Sequence, residues 1–234
     1  MSANLPVRRR AKQSSKNSNF SLYLIGGVLL LLIVFVIGLN IWNSRPTVSA
    51  QPLDIQDGWV DRNSIGNPDA KVVVEAYEDF LCPHCAEFTA QVEPRLIDEY
   101  VKTGKVRFVY HTFPLQGFEP GASIAANAAM CAADQNQFWQ MHDQLFASQT
   151  RGMSAFEPEA LTKTAEALGM NGSQFAQCLN SLKYGAEVRQ TVNDGIALGV
   201  QGTPTIFVNG VLLSTGADYT SLKAQIDKLL GSAG

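Results

Sequence analysis

The chain has 234 residues, 46% hydrophobic and 17% charged, enough apolar material for a packed core and a composition that speaks against global disorder. Its net charge of −3 is unevenly spread: six basic residues and no acid fall within the first 50, while beyond them 12 Lys and Arg face 21 Asp and Glu, a balance of −9. A folded part that acidic argues against nucleic-acid binding, which needs a basic face.

Residues 1–19 form a basic tail. The stretch Phe20 to Trp42, FSLYLIGGVLLLLIVFVIGLNIW, then carries no charge. About 20 apolar residues cross a bilayer core as a helix, so a single transmembrane helix is expected over 20–42. Arg8, Arg9, Arg10, Lys12 and Lys16 precede it and only Arg45 follows closely, which keeps the amino terminus cytoplasmic and the rest of the chain outside. The alternative is a signal peptide cleaved after Val48-Ser49-Ala50, leaving a secreted domain; against it, the apolar stretch exceeds the ~7–15 residues of a usual signal core. Residues 43–57, with two prolines and several small polar residues, read as a linker.

The folded domain is expected over 58–234. Lys71 to Tyr77, KVVVEAY, has the β-branched profile of a buried strand, and a helical spacing (Phe88, Val92, Leu96, Ile97, Tyr100) runs from Cys82 to about Thr103, ended by Gly104. A second strand, Val106 to Phe113, completes a strand-helix-strand unit with parallel strands. Helical segments near 120–134, 136–148, 158–169 and 173–198 form an insertion over about 118–198. Asn209-Gly210 then marks a hairpin between Thr205–Asn209 and Val211–Ser214, and a last helix spans about Tyr219 to Leu230. The fold class is α/β.

Cys82-Pro83-His84-Cys85 is a C-x-x-C between strand and helix, where unpaired helical N–H groups point at the first sulfur and favour its thiolate. Pro83 suits the first helical turn, and His84 adds a potentially cationic ring that stabilises the reduced form and makes the disulfide more oxidising. No metal is expected: Cys2His offers three ligands where structural zinc takes four, and no second C-x-x-C exists. His111 and His142 read as core or surface filler, and Phe138, Trp139, Leu145 and Phe146 as core. No phosphate-binding glycine motif appears, so no organic cofactor is expected. Cys131 and Cys178, both in the helical block, are the two cysteines left over in an exported chain, and a structural disulfide is expected between them.

FLCPHCAEF, the FPL at Phe113 to Leu115, FWQMHDQLF from Phe138 and GVQGTPTIFVNG from Gly199 resemble the bacterial DsbA-like thiol:disulfide oxidoreductases of the thioredoxin superfamily, in a membrane-anchored form. The resemblance covers about residues 57 to 234. It implies a thioredoxin-like fold with a helical insertion, a cis Pro204 after Thr203 that helps hold an extended substrate, and a quinone-linked membrane reoxidase of the DsbB or vitamin-K-epoxide-reductase type. Such proteins often bury an acid six residues before the first cysteine; Ala76 stands there, and Glu78, of the same strand parity, is the candidate proton acceptor for Cys85. The expected activity is donation of disulfides to reduced exported polypeptides on the extracytoplasmic side of a bacterial cell membrane. A membrane-tethered reductase or isomerase and a non-catalytic binding or chaperone module are the alternatives.

Overall fold

A computed structural model of the chain describes residues 18–43, 54–214 and 216–231. They fall into two compact units. The first is α1 (Ser18–Asn43), a 26-residue helix. Its described side chains, Tyr23 and residues 25–36, are exposed, and they cover less than the ~20 residues a bilayer crossing takes. Among the described residues no helix is long and apolar enough to cross a membrane. The expected span over 20–42 runs into residues whose side chains lie outside the description, as do most of the basic tail and residues 44–53 of the linker.

The second unit is built on a six-stranded sheet, β1 (Val60–Asp61), β2 (Ser64–Ile65), β3 (Val72–Glu78), β4 (Val106–Thr112), β5 (Thr205–Val208) and β6 (Val211–Leu212), in the order β1-β2-β4-β3-β5-β6. β3 lies parallel to β4, from Val72 opposite Val106 to Glu78 opposite Thr112, and antiparallel to β5. This is the expected strand-helix-strand unit, with the hairpin added along its edge. Asn209 and Gly210 turn that hairpin with φ of 50° and 73°, the left-handed region an Asn-Gly pair tolerates. Asn209 also extends β3, accepting from the Val73 N–H at 2.7 Å and donating to the Lys71 carbonyl at 3.2 Å. The β1–β2 hairpin carries no glycine in its turn, Arg62 taking φ 49°, and nothing in its sequence announced it.

Alternation along β3 sorts the two faces. Val72, Val74, Ala76 and Glu78 are buried on the side of the main core. Tyr77 faces the other way, into a smaller cluster with Phe113, Val200 and Phe207. Gly195 approaches that cluster so closely that a Cβ there would meet the Tyr77 and Phe113 rings at 2.9 Å.

The helix expected from Cys82 to Thr103 is interrupted. α2 (Pro83–Gln91) ends before α3 (Glu93–Leu96), and a π-helical turn over Ile97–Val101 follows. Pro94 is the cause, since it has no N–H to donate to the preceding turn. The insertion holds α4 (Gly121–Ala133), α5 (Phe138–Ser148), α6 (Pro158–Ala167), α7 (Gly172–Asn180) and α8 (Gly185–Ala197); the segment read as one helix over 173–198 is two, parted at Leu182 with φ 49°. α9 (Tyr219–Gly231) closes the fold, burying Tyr219, Leu222 and Ile226.

Cys131 in α4 and Cys178 in α7 are joined by a disulfide across a sequence separation of 47. Closing a loop of that length removes chain entropy from the unfolded state worth about 4 kcal/mol. Replacing both cysteines by serine is therefore expected to lower the unfolding free energy by about that amount in a denaturant titration, with Cys82 reactivity unchanged. A loss under about 1 kcal/mol means that the bridge constrains little.

Candidate active site

The C-terminal end of β3 delivers Glu78 and Asp79 into a short loop, and Cys82 stands at the N-cap of α2 with Pro83 in the first turn. The loop is clamped from two sides. Asp79 accepts from the backbone N–H of Leu81 and, through its other oxygen, from that of Leu115, both at 2.8 Å. Gln149, just beyond α5, donates from Nε2 to the carbonyls of Phe80 at 2.8 Å and Cys82 at 3.1 Å. Sequence reasoning singled out neither Asp79 nor Gln149: an acid beside a loop and a glutamine after a helix carry no signal until the fold brings them to the same backbone.

Cys82 and Cys85 are both free thiols, so the reduced form is described. They are unequal. As a thiol Cys82 donates to the Thr203 carbonyl, Sγ to oxygen 3.5 Å. As a thiolate it is stabilised first by the Cys85 S–H, then by Thr203 and the backbone N–H groups of Cys85 and His84, and its pKa is held at about 5 despite burial. Burial, the neighbouring Cys82 sulfur and the Glu78 carboxyl push the Cys85 thiol far above the ordinary thiol range. Cys82 is therefore the charged, reacting sulfur and Cys85 keeps its proton.

His84 contributes its backbone N–H. Its side chain is 81% exposed and sits 3.9 Å from Glu87, so the ring expected to tune the thiolate faces solvent. Glu78 is fully buried, and neither of its oxygens has a hydrogen-bond partner among the described residues. Cys85 lies close enough to act on its protonation, though outside hydrogen-bond geometry; burial first, and the Cys82 charge second, raise Glu78 well above the carboxylate range. Asp79 is raised to about 6, burial outweighing its two backbone donors.

The Thr203–Pro204 bond is cis, and both residues line a groove of about 550 Å³ with His84, Arg95 and Tyr219, where the Arg95 guanidinium lies 3.6 Å from the Tyr219 ring centroid. His111 pairs with Glu75 at 3.2 Å on the far face of the sheet, away from the thiols. His142 is fully buried, 3.6 Å from an equally unexpected buried acid, Glu93.

A parallel strand-helix-strand unit with an antiparallel hairpin, and two inequivalent thiols at the helix start beside a cis-proline loop, define a thiol:disulfide oxidoreductase of thioredoxin fold. The family model described as Thioredoxin matches residues 60–228. A probable disulfide bond formation protein D of Bacillus anthracis is 31% identical over 219 residues, spanning 92% of this chain and 98% of the relative. The oxidised BdbD structure from Bacillus subtilis superposes with a TM-score of 0.66 at 24% identity, covering 73% of this chain and 94% of that one, a likeness of fold. Oxidised Mtb DsbA superposes with a TM-score of 0.58 at 28% identity, over 76% and 91%. The chain belongs to the thioredoxin family and, within it, to the DsbA-like thiol:disulfide oxidoreductases.

Titrating the thiolate absorbance of the reduced protein is expected to give a Cys82 midpoint near 5, absent in Cys82→Ser. Because that pKa lies below the unfolded value of 9.0, the stabilisation of the reduced fold is complete above about 9 and is lost as pH falls through about 5. The stability gap between reduced and oxidised protein should shrink over that window as pH falls. A midpoint near 9 excludes the stabilised thiolate.

Proposed function

We propose that the protein donates disulfide bonds to exported polypeptides through Cys82 and Cys85. The carrying observation is the set of donors around Cys82: whatever stabilises its thiolate stabilises the reduced enzyme, and so makes the Cys82–Cys85 disulfide a stronger oxidant.

In the oxidised protein a substrate thiolate attacks Cys82 Sγ. The Cys82–Cys85 bond breaks, and Cys85 leaves with the electron pair. Glu78, buried and favoured in its protonated form, supplies the proton that the departing sulfur takes up. A substrate–Cys82 mixed disulfide remains. The substrate's second thiolate then attacks its own sulfur in that bond, and Cys82 leaves as the stabilised thiolate. Two electrons have passed from substrate to enzyme, and a substrate disulfide has formed. The groove beside Thr203 and Pro204 holds the extended substrate during both attacks.

Turnover requires the two electrons to be passed on, and a membrane reoxidase of the DsbB or vitamin-K-epoxide-reductase type is the partner this chemistry calls for. The apolar, uncharged run Phe20–Trp42 behind a basic tail supports a single-pass anchor with the domain on the extracytoplasmic side of a bacterial cell membrane, confining enzyme and reoxidase to one plane. Relatives named for disulfide bond formation support the direction of transfer.

Equilibration against glutathione should place the couple in the oxidising range, near the ~−120 mV of DsbA; a value near the ~−270 mV of thioredoxin makes the protein a reductase or isomerase. For the anchor, full-length protein is expected to stay with membranes through alkaline carbonate washing, and release into the supernatant as a shortened chain identifies a cleaved signal peptide.

A further inference from the structure

Behind Cys85 the core is not apolar. Glu78 at the end of β3, Tyr110 in β4, Glu93 opening α3 and His142 in α5 are all at most 4% exposed. Glu78 Oε1 and Oε2, Tyr110 Oη, Glu93 Oε2, His142 Nε2, Thr89 Oγ1 and Trp139 Nε1 have no hydrogen-bond partner among the described residues. Leaving a buried polar group unpaired is costly, so the gathering of so many at one place, against one thiol, asks for a reason in the chemistry.

Their order supplies it. Cys85, Thr89 and Glu93 are spaced four residues apart, a row that leads from the thiol along α2 to the first residue of α3. Glu93 Oε2 then lies 3.6 Å from His142 Nε2, and His142 Nδ1 lies 2.9 Å from Asp143 Oδ1. The Asp143 side chain is 38% exposed. Thr89, Glu93, Trp139 and Asp143 line a groove of about 660 Å³ between α2, α3 and α5. None of Cys82, Thr203 and Pro204 lines it, so the series leaves the thiols in a direction away from the substrate groove.

The groups facing each member are suited to passing a proton on. Glu78 faces Cys82 and Cys85 from α2 and Glu93 from α3; Tyr110 from β4 stands near Glu78, Cys85, Asp79 and Glu93. Glu93 faces His142 and Asp143 from α5, Glu78 from β3 and Thr89 from α2. Burial raises Glu93 to about 8, with the Glu78 and Asp143 charges adding and His142 opposing. Burial acts to lower His142, and Glu93 and Asp143 outweigh it. The Glu78 and Glu93 charges oppose each other across a dry interior, which disfavours both being ionised at once.

We infer that Glu93, His142 and Asp143 carry protons between Glu78 and the solvent of the α2–α5 groove, refilling Glu78 each time it has protonated the departing Cys85. This rests on the role of Glu78 proposed above. The balance of one substrate oxidation is that the substrate dithiol sheds two protons, Cys85 retains one and Cys82 remains a thiolate. One proton must therefore enter the core per turnover, and it returns by the same route on reoxidation.

The test mixes oxidised full-length protein with dithiothreitol in a stopped-flow instrument, following thiol–disulfide exchange and, with an indicator dye, proton release and uptake. In the unaltered protein uptake keeps pace with exchange. In Glu93→Gln exchange should run at its usual rate while uptake trails as a separate phase at least 10-fold slower; the near-isosteric Asp143→Asn, at a half-buried side chain, should delay uptake about 3-fold. Uptake that keeps pace in both variants overturns the relay. The Glu78 role has its own signature, slowed exchange itself in Glu78→Gln; unchanged exchange there removes that role whatever the other variants do.

Discussion

The site depends on one asymmetry: a negative charge is held on Cys82 while the sulfur three residues on is kept dry and neutral. Both effects come from the start of α2. The first turn of a helix offers N–H groups without partners, Cys82 stands at its N-cap, and the backbone N–H groups of His84 and Cys85 favour its thiolate. The same helix turns Cys85 inward to full burial, where an ionised thiol would lose its hydration. The protonated Cys85 then donates to the Cys82 thiolate, so the two effects reinforce each other. Burial sets the Cys85 thiol first, and each sulfur then strengthens the other's state.

Holding that arrangement is the work of the elements around it. β3, paired on both sides, fixes the point from which the loop departs. Asp79 ties the loop to the segment after β4 through Leu115, and Gln149 ties it to the helical insertion through two carbonyls. The cis-proline loop before β5 brings Thr203 onto Cys82 from the opposite side. Each clamp joins positions more than 30 residues apart, so the thiol pair is set by the assembled fold and not by its tetrapeptide alone.

What the sequence made legible follows the range of the interactions. The C-x-x-C at a strand-helix junction, the Asn209-Gly210 turn and the parallel β3–β4 pair rest on neighbours along the chain or on simple periodicity, and they were readable. Strand parity with Ala76 singles out Glu78 as a candidate, while a solvated loop acid is the other reading of the same position. The break at Pro94 and the kink at Leu182 lay inside patterns whose periodicity continued past them. Asp79, Gln149 and Glu93 are ordinary polar residues in sequence, because what distinguishes each is a partner far along the chain. His142 was read as filler for the same reason: an amphipathic helix gives a histidine's face, but not the buried carboxylate opposite.

The insertion is then more than a cover for the sheet. α5 packs Phe138, Trp139 and Phe146 around Tyr110 and His142, an aromatic wall that dries the space behind Cys85. A wall that only dried it would isolate Cys85 from the proton its reaction requires, since the burial that raises the Cys85 thiol so far also obliges it to take a proton as soon as the disulfide opens. Dryness and proton supply thus make opposing demands on the same volume. Titratable groups embedded in the wall meet both, because a carboxyl or imidazole can pass a proton while excluding bulk water. The Pro94 break serves this end as well: it ends α2 within two turns of Cys85 and starts a new helix at Glu93, next to His142, where the solvent-facing groove reaches the buried acids.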